Sequence, residues 1–452
     1  MDNPTTKELT RQGRALRERS PRASLGTAPN LDRDPVAILD AQNAARLPEL
    51  VGVRWGRMAA SPFAFYRGAA AVMAHDLAPT PVSGPVVQAC GDAHLANFGF
   101  YASPERALLF DLNDFDETTV APWEWDVERL AASLAIASRE SGFGAANERA
   151  VAVAAARSYR VTMRRAAKLS ALEVFHTQVT ADDLFTIGAA TDRDGKERRR
   201  RVKEIGRATA KARARTSEHA LAKLSVTDDS GSLRIVQQPP LMYRPDTAPS
   251  DLTEVPERYR STASPDIEAL LRRFRAVDYA LRVVGVGSVG TRCYILLCVD
   301  ASANPLFLQV KEASATVLGP YAGEGRYRHN GQRVVAGQRI MQAASDPFLG
   351  WTESEGRHYY VRQFRDMKGG FEIERLSAQL LADYAVLCGG VLARAHAQSC
   401  EPALIAGYLG GGPAFDDAIA AFAVRYADQN ERDHAALVSA IAGGRVHAVA
   451  GA

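Results

Sequence analysis

The segment CGDAHLANFG, residues 90–99, lies between two apolar stretches that are typical of short β-strands. Asp92 and Asn97 therefore fall in a tight polar loop at the rim of a predicted sheet. Further along the chain the apolar run LLFDL ends in NDFDE, which places Asp114 and Asp116 at the end of another strand. Functional side chains concentrate in loops that rigid elements hold, so these two segments are the first candidates for a site.

The residue types in this region suit phosphoryl transfer. That reaction needs a carboxylate to accept the proton of the attacking hydroxyl, for which Asp92 is the candidate. It also needs oxygen ligands for Mg²⁺, for which Asn97 and Asp114 are candidates. Asp92 and Asn97 have the spacing D-x-x-x-x-N of kinase catalytic loops. The alternative is that both are turn residues beside a solvated acidic strand end, but the combination of two such segments favours a site.

The metal-binding residue types form no zinc motif in the sequence. The nine histidines and five cysteines are scattered, with no CxxC, HExxH or HxH pattern. Reduced thiols in a cytosolic protein explain the cysteines most simply. We expect His94 to hold its loop together through hydrogen bonds rather than to bind a metal.

A glycine-rich segment lies much later in the chain. Gly285, Gly287 and Gly290 form G-x-G-x-x-G, but β-branched and aromatic residues follow, which favours a hairpin over a Rossmann strand and helix. Glycines in such a turn let backbone N–H groups approach phosphates closely. Lys311 lies on the third predicted strand, PLFLQVKEA, where a lysine pairs with phosphates in kinases. The alternative is an ordinary three-stranded meander with a surface lysine.

These segments together resemble the protein-kinase-like superfamily. CGDAHLANFG is similar to the H-G-D-x-H-x-x-N loop of aminoglycoside-phosphotransferase-like kinases, and NDFDE is similar to their metal-binding I-D-F/W segment. More closely, residues 50–440 resemble the bacterial domain of unknown function 2252 family, through segments that include RMAASPFAFYRGAA, PWEWDVERLA, GVGSVGTRCY and YADQNERDH. The resemblance implies an α+β, bilobal fold.

The resemblance also implies an enzyme that uses ATP and Mg²⁺. Asp92 would be the catalytic base, Asn97 and Asp114 would be the Mg²⁺ ligands, and Lys311 would pair with the phosphates. The strand YYVRQFR would place its backbone beside adenine. The glycine-rich turn would cover the phosphates with Gly285, Gly287, Ser288 and Gly290.

Three departures from the kinase pattern stand out. Cys90 replaces the first histidine of the phosphotransferase loop. The helical segment GQRVVAGQR has no evident glutamate partner for Lys311, and Gln338 is the polar candidate there. The order is also inverted, because the catalytic loop precedes the glycine-rich turn. We therefore predict a circular permutation, which requires Lys311 and Asp114 to face one cleft.

Composition and length are those of a globular protein. The chain has 452 residues, of which 46% are hydrophobic and 24% charged, which excludes a mainly disordered or disulfide-dependent chain. We expect a poorly ordered tail over residues 1–32 and the first part of a helical lobe over 33–260. A β-rich lobe with the glycine-rich turn is predicted over 261–365, and the remaining helices of the helical lobe over 366–452.

Charge and hydropathy constrain the partners. The net charge of +3 is too small for a dedicated nucleic-acid binder, and the basic run over residues 193–215 is predicted to be a solvated helix face. The charged N-terminus and the absence of a membrane-spanning apolar run predict a cytoplasmic protein with no membrane association. Of Arg54, Arg57 and Arg67, we expect structural salt bridges for at least two, although any could contact phosphate.

Several functions remain open at this point. A phosphotransferase that acts on a small-molecule hydroxyl is favoured, and adenylyl transfer is an alternative within such folds. A nucleotide-binding pseudokinase or regulatory module would explain the missing helix glutamate, but Asp92, Asn97 and Asp114 argue against it. A metal-dependent phosphoesterase is less favoured, because no further ligands of a two-metal centre are evident. The sequence does not define the oligomeric state.

Overall fold

The computed structural model describes residues 4–27, 32–190, 195–229, 231–245, 252–323, 325–364 and 366–449. Helices and small sheets are mixed, so the predicted α+β class is confirmed. The strands are β1 Val86–Ala89, β2 Phe98–Ala102, β3 Leu108–Leu112, β4 Thr119–Pro122, β5 Ser225–Thr227, β6 Leu233–Ile235, β7 Met242–Tyr243, β8 Arg275–Arg282, β9 Cys293–Val299, β10 Pro305–Glu312, β11 Gly350–Ser354 and β12 Arg357–Gln363. The helices are α1 Thr6–Arg19, α2 Pro35–Asn43, α3 Pro48–Ala59, α4 Pro62–Gly68, α5 Ala70–Leu77, α6 Trp123–Glu140, α7 Ala145–Ala166, α8 Ala171–His176, α9 Ala181–Ala190, α10 Gly195–Arg213, α11 Ser217–Leu224, α12 Val255–Tyr259, α13 Pro265–Leu271, α14 Gly319–Ala322, α15 Asn330–Met341, α16 Ala378–Ala397, α17 Pro402–Leu409 and α18 Ala414–Ala442.

The largest sheet is antiparallel and has the strand order β11-β12-β10-β9-β8-β7. Strand β9 is buried along its whole length, because alternate side chains pack into separate cores on the two faces of the sheet. This double burial explains the unbroken apolar run of the sequence, which lacks the alternation of a half-exposed strand. The turn between β8 and β9 carries the glycine-rich segment.

The sheet begins earlier in the chain than the predicted boundary at residue 260. Strand β7 pairs with β8, and α11 packs Ala220 and Leu224 against the sheet. Residues from about 217 onward therefore belong with the sheet and not with the helical part assigned to 33–260. A two-residue strand such as β7 carries no periodicity, so the sequence offered no signal for this pairing.

The N-terminal segment differs from the predicted poorly ordered tail. Residues 6–19 form α1, which begins with a capping box between Thr5 and Glu8. Helix α1 packs closely on α17, where Gly13 lies against the backbone of Leu404. Arg17 donates from Nε to the carbonyl oxygen of Tyr408 at 2.8 Å. This helix is polar on its outer face and depends on a partner that lies about 400 residues away.

Helix α16 forms the centre of the helical part and packs against α6 and α7. Its length and hydropathy alone would allow a membrane span, but 67% of the apolar window is buried among other helices. Gly389 lies so close to α7 that an added Cβ would be 2.2 Å from the carbonyl oxygen of Ala155. The apolar character of α16 is therefore explained by its place in the protein core.

The basic run is helical in the described residues, as α10, and Arg193 lies outside them. Arg201 forms an ion pair with Asp383. Lys211 donates to Glu372 at 2.6 Å. Several of the cations thus have acidic partners within the chain.

We expect Glu124→Gln on α6 to stabilise the protein at alkaline pH. Glu124 and its neighbour Glu128 are buried, and neither Oε2 atom has a hydrogen-bond partner in the described chain. Burial raises the pKa of Glu124 from its ordinary 4.5 to about 7. The native state therefore holds this proton more tightly than the unfolded state, so stability falls as pH rises through that interval. The loss is on the order of 3 kcal/mol for this shift.

The measurement is urea unfolding of both proteins at pH 5 and pH 8. Glu124→Gln should equal the wild type at pH 5 and exceed it at pH 8. The Oε1 atom of glutamine keeps the contact to the Ser83 backbone N–H, which is 2.7 Å long in the wild type. Exposed Glu105→Gln serves as the control and should change stability at neither pH. An identical pH slope in wild type and Glu124→Gln would contradict the assignment.

Candidate functional site

A cavity of about 370 Å³ lies between the 90–99 loop, the glycine-rich turn and the N-terminal helices α2 and α4. Both halves of the site predicted from the sequence meet here, although they are far apart in the chain. The predicted residues that line the cavity are Asp92, Asn97, Asp114, Gly285, Gly287 and Ser288. The two other predicted residues, Lys311 and Gly290, lie next to this lining.

The carboxylate of Asp126 on α6 holds the backbone of the 90–99 loop. Asp126 accepts hydrogen bonds from the backbone N–H groups of Cys90 at 2.6 Å and Gly91 at 2.9 Å. The third contact is to Nε2 of His396 on α16, at 3.1 Å. Gly91 has φ 80°, and a Cβ there would lie 2.3 Å from the carbonyl oxygen of Glu117. Only glycine fits this position, and the loop backbone is therefore held rigidly.

Asp92 lies in the cavity wall, and Arg129 holds one of its carboxylate oxygens. Arg129 donates to Oδ1 from Nε at 2.9 Å and contacts the same oxygen from Nη2 at 2.7 Å. Burial raises the pKa of Asp92 above its ordinary value, and Arg129 opposes that shift. The second oxygen, Oδ2, forms no hydrogen bond within the described residues. It is the atom available to accept a proton.

Asn97 and His94 lie in the same loop but differ in the hydrogen bonds of their side chains. Asn97 donates from Nδ2 to the carbonyl oxygen of Asp92 at 2.8 Å, which leaves Oδ1 as a possible ligand atom. His94 holds the loop through its backbone, because its N–H donates to the carbonyl oxygen of Asp92 and its carbonyl oxygen accepts from the N–H of Asn97, both at 2.8 Å. The imidazole ring forms no hydrogen bond within the described residues. Its Nδ1 is buried without a partner in the described chain, and its Nε2 lies 3.8 Å from Oδ2 of Asp92. Burial lowers the pKa of His94 well below its ordinary value, so the ring is neutral.

Lys311 on β10 forms an ion pair with Asp116, and its Nζ is 3.9 Å from Oδ2 of Asp114. Tyr360 donates its hydroxyl to the other oxygen of Asp116 at 2.9 Å. Burial opposes the charge of Lys311, but Asp114 and Asp116 outweigh burial and raise its pKa well above the ordinary value. Asp116 is thus the carboxylate partner that the sequence did not assign.

Helix α15 does not supply that partner. Gln338, the polar candidate, donates to Gln342 at 2.8 Å and does not contact Lys311. Arg333 of the same helix instead donates to backbone carbonyl oxygens of the acidic segment, at Asp116 and Thr118. The helix therefore positions the acidic segment through an arginine and its backbone contacts.

Asp114 has the properties of a cation ligand. Its Oδ1 is buried and has no hydrogen-bond partner among the described residues. Burial and the neighbouring carboxylate of Asp116 raise the pKa of Asp114. A buried carboxylate oxygen without a partner is costly unless a ligand satisfies it. Together with Oδ1 of Asn97, this atom fits the oxygen ligands that Mg²⁺ prefers.

The glycine-rich turn is held by the N-terminal helices. Gly285 has φ 64°, and its carbonyl oxygen accepts from Arg57 at 2.7 Å. Gly290 has φ 86° and packs on Arg46, where a Cβ would lie 3.0 Å from the arginine Cβ. Gly290 does not line the cavity, so its predicted role of covering phosphates is better described as packing.

Arg67 is the arginine of the SPFAFYRG region that lines the cavity. Arg54 is fully buried and donates to neutral acceptors, among them Gln42 and the carbonyl oxygen of Gly68. Its role is structural, but through these acceptors and not through the expected salt bridge. Arg67 has no hydrogen bond or ion pair within the described chain, and burial lowers its pKa. A partly desolvated guanidinium of this kind is suited to phosphate.

Residues 46–440 match the model of a family described as uncharacterized protein conserved in bacteria, DUF2252. The chain belongs to the DUF2252 family. No curated protein and no solved structure matches it. The segment of this DUF2252 protein that matches the family begins at Arg46 and contains both halves of the site. Helix α2, whose C-terminal end lines the cavity, precedes it.

Proposed function

We propose that this DUF2252 protein is a cytoplasmic, ATP- and Mg²⁺-dependent phosphotransferase that acts on a small-molecule hydroxyl. The observation that carries the proposal is the convergence of Lys311, Asp114 and the glycine-rich turn at one cavity. The distance of 3.9 Å between Nζ of Lys311 and Oδ2 of Asp114 is the contact that a permuted kinase requires. Asp92 and Asn97 line the same cavity, so base and ligand candidates are both present.

The connectivity supports a bilobal, protein-kinase-like fold in permuted order. Strands β8, β9 and β10 form a meander with Lys311 near its end, and α14, α15, β11 and β12 follow in the chain. A kinase chain would then continue through a helix into the catalytic loop. Here α16 ends near Ser399, whose Oγ accepts from the backbone N–H of Gln88 at 2.8 Å. The end of α16 thus lies beside the strand that leads into the 90–99 loop.

The residues present fit Mg²⁺ because Asp114 and Asn97 both line the cavity, and each has a side-chain oxygen without a hydrogen bond within the described residues. When bound, the ion neutralises charge that develops on the phosphates. Arg67 lines this cavity and Lys311 lies next to its lining, so both add fixed positive charge there. Such preorganised charges are a large part of catalysis in phosphoryl transfer.

The proposed step is an in-line displacement at the γ-phosphorus of ATP. The acceptor hydroxyl oxygen forms a bond to phosphorus, and the bond from phosphorus to the β,γ-bridging oxygen breaks, so ADP leaves with that electron pair. Oδ2 of Asp92 accepts the hydroxyl proton, while Arg129 holds Oδ1. The products are ADP and the phosphorylated acceptor.

Two competing functions have less support. The pseudokinase alternative rests on the lack of a glutamate partner for Lys311 in the helix that follows it. Lys311 nevertheless has a carboxylate partner, Asp116. A two-metal phosphoesterase would need a cluster of ligands at the cavity. Within the described residues, the group of three such donors close to one another is His329, Glu353 and His358, and none of them lines the cavity.

The test is ATP consumption by wild type and Asp92→Asn over a panel of small hydroxyl compounds. Loss of the proton acceptor should lower turnover by about 100-fold or more while Mg–ATP binding persists. The surface variant Asp417→Asn is the control and should match the wild type. Tight binding without turnover in the wild type would instead favour the pseudokinase. ATP-independent hydrolysis of a phosphoester that Asp92→Asn removes would favour the phosphoesterase.

A further inference from the structure

We propose that the nucleotide binds with its base against α2 and the turn after it, and not beside β12. This inference rests on the proposed function and defines the orientation of the ATP within the same cavity. It departs from the expectation that the backbone of YYVRQFR contacts adenine. Three observations carry it: the closed β12 side, the open α2 side, and the position of the positive charge.

Within the described residues, the backbone N–H groups of Gln363 and Phe364 at the end of β12 already have partners. The N–H of Gln363 donates to Oδ2 of Asp346 at 2.7 Å. The N–H of Phe364 donates to the carbonyl oxygen of Phe307 at 2.9 Å. A base that bound there would have to displace these protein contacts, at the cost of a buried unpaired group for each one lost.

Side chains also fill the space between β12 and the acidic segment. Arg362 donates from Nε to Gln309 at 2.7 Å and reaches the carbonyl oxygen of Asn113 at 3.3 Å. Gln309 in turn contacts the sulfur of Cys293 at 3.1 Å. The cavity that remains on this side, next to Lys368, has about 10 Å³, which is room for roughly one water molecule.

The large cavity extends to α2 instead. Its lining includes no residue of β12 but does include Ala41 and Gln42 near the end of α2 and Ala45 in the turn after it. Ala41 and Ala45 are exposed and small, so they leave a shallow apolar surface on which a flat ring can pack. Arg54 donates to Oε1 of Gln42 at 2.6 Å, which leaves the amide nitrogen free to donate to a base.

Of the two arginines that line the cavity, Arg46 donates to the carbonyl oxygen of Val289, whereas Arg67 has no partner within the described residues and defines the phosphate end. Arg67 lies at the glycine-rich turn, where its carbonyl oxygen is 3.2 Å from the Cβ position of Gly287. Nζ of Lys311 lies 3.9 Å from Oδ2 of Asp114, which lines the cavity together with the glycine-rich turn. Phosphates at this end would pair with the guanidinium of Arg67, and a base at α2 would cover the exposed Ala41 and Ala45.

Calorimetry measures the affinity of the full chain for Mg–ATP and for Mg–tripolyphosphate, which has phosphates but no base. Comparing the two affinities separates contacts to the base from contacts to the phosphates. Ala45→Trp fills the α2 side and should weaken ATP binding by about tenfold or more, with tripolyphosphate unchanged. Arg67→Ala should weaken both ligands about equally. Lys368→Met, on the β12 side, is the matched control and should change neither affinity.

If Ala45→Trp fails to fold in a thermal unfolding assay, Ala41→Trp replaces it, since Ala41 is also exposed. Unchanged ATP affinity in the tryptophan variant, or weaker ATP binding in Lys368→Met alone, would overturn the orientation and leave the proposed function intact. Equal wild-type affinities for ATP and tripolyphosphate would also overturn it. Failure of the wild type to bind either ligand would overturn both proposals.

Discussion

Asp114→Asn is expected to weaken Mg–ATP binding strongly while leaving the protein at least as stable as the wild type. Asp114 has a raised pKa because it is buried beside Asp116, so its ionised form is held at a cost to the fold. The amide removes that charge without changing the shape of the side chain. The affinity for Mg–ATP should fall by about 100-fold or more, since losing a residue that merely orients a ligand already costs about 10- to 100-fold.

Opposite effects on stability and binding distinguish a ligand-binding carboxylate from a structural one. Calorimetry with and without Mg²⁺ gives the affinity, and thermal unfolding without nucleotide gives the stability. Asp229→Asn, in the turn between β5 and β6, is the control and should leave both unchanged because Asp229 is exposed. A marked fall in stability with normal Mg–ATP binding would show that Asp114 is structural and that the assigned cation site is wrong.

Gly389→Ala is expected to destabilise the protein by about 3 kcal/mol, the upper part of the usual range for overpacking. Its Cβ would lie 2.2 Å from the carbonyl oxygen of Ala155, and that oxygen belongs to helix backbone that cannot rotate away. Helices α7 and α16 would have to separate along a contact at the centre of the core. Urea unfolding measures the free energy directly.

Gly390→Ala provides a matched comparison one residue along α16. Its added Cβ would meet the hydroxyl oxygen of Ser158 at 3.3 Å, which is a side chain that can rotate. Alanine is also the better helix former by about 1 kcal/mol, so this variant should be neutral or stabilising. Equal losses in the two variants would contradict the assignment, because the close approach to Ala155 is made at Gly389 and not at Gly390.

The sequence predicted the elements with strong local patterns. The strands around the glycine-rich turn are continuous apolar runs, and the acidic segment follows a strand as expected. The ion pair from Lys311 to Asp116 was missed because it joins residues 195 positions apart, and the kinase pattern directed attention to α15 instead. Helix α1 was missed because its contact with α17 is made by Gly13 and Gly407, and glycines give no helix signal.

Site residues outside the motifs were the hardest to predict. Arg67 had the same residue type and neighbourhood as Arg54 and Arg57, and only burial without a partner separates it from them. Arg362 lies within a segment predicted to contact adenine, yet it occupies that space itself. In both cases the role of the charged side chain depends on the atoms that surround it in three dimensions. A spacing pattern in the sequence does not contain that information.

The carboxylate of Asp126 has a consequence for synthesis on the ribosome. It joins the 90–99 loop to His396, so three segments must be present before that loop is held on all sides. Because a chain emerges from its N-terminus, the loop with Asp92 leaves the ribosome about 300 residues before its last support. Long-range contacts of this kind form late in folding. The site of a nascent chain is therefore incompletely held until α16 has left the ribosome.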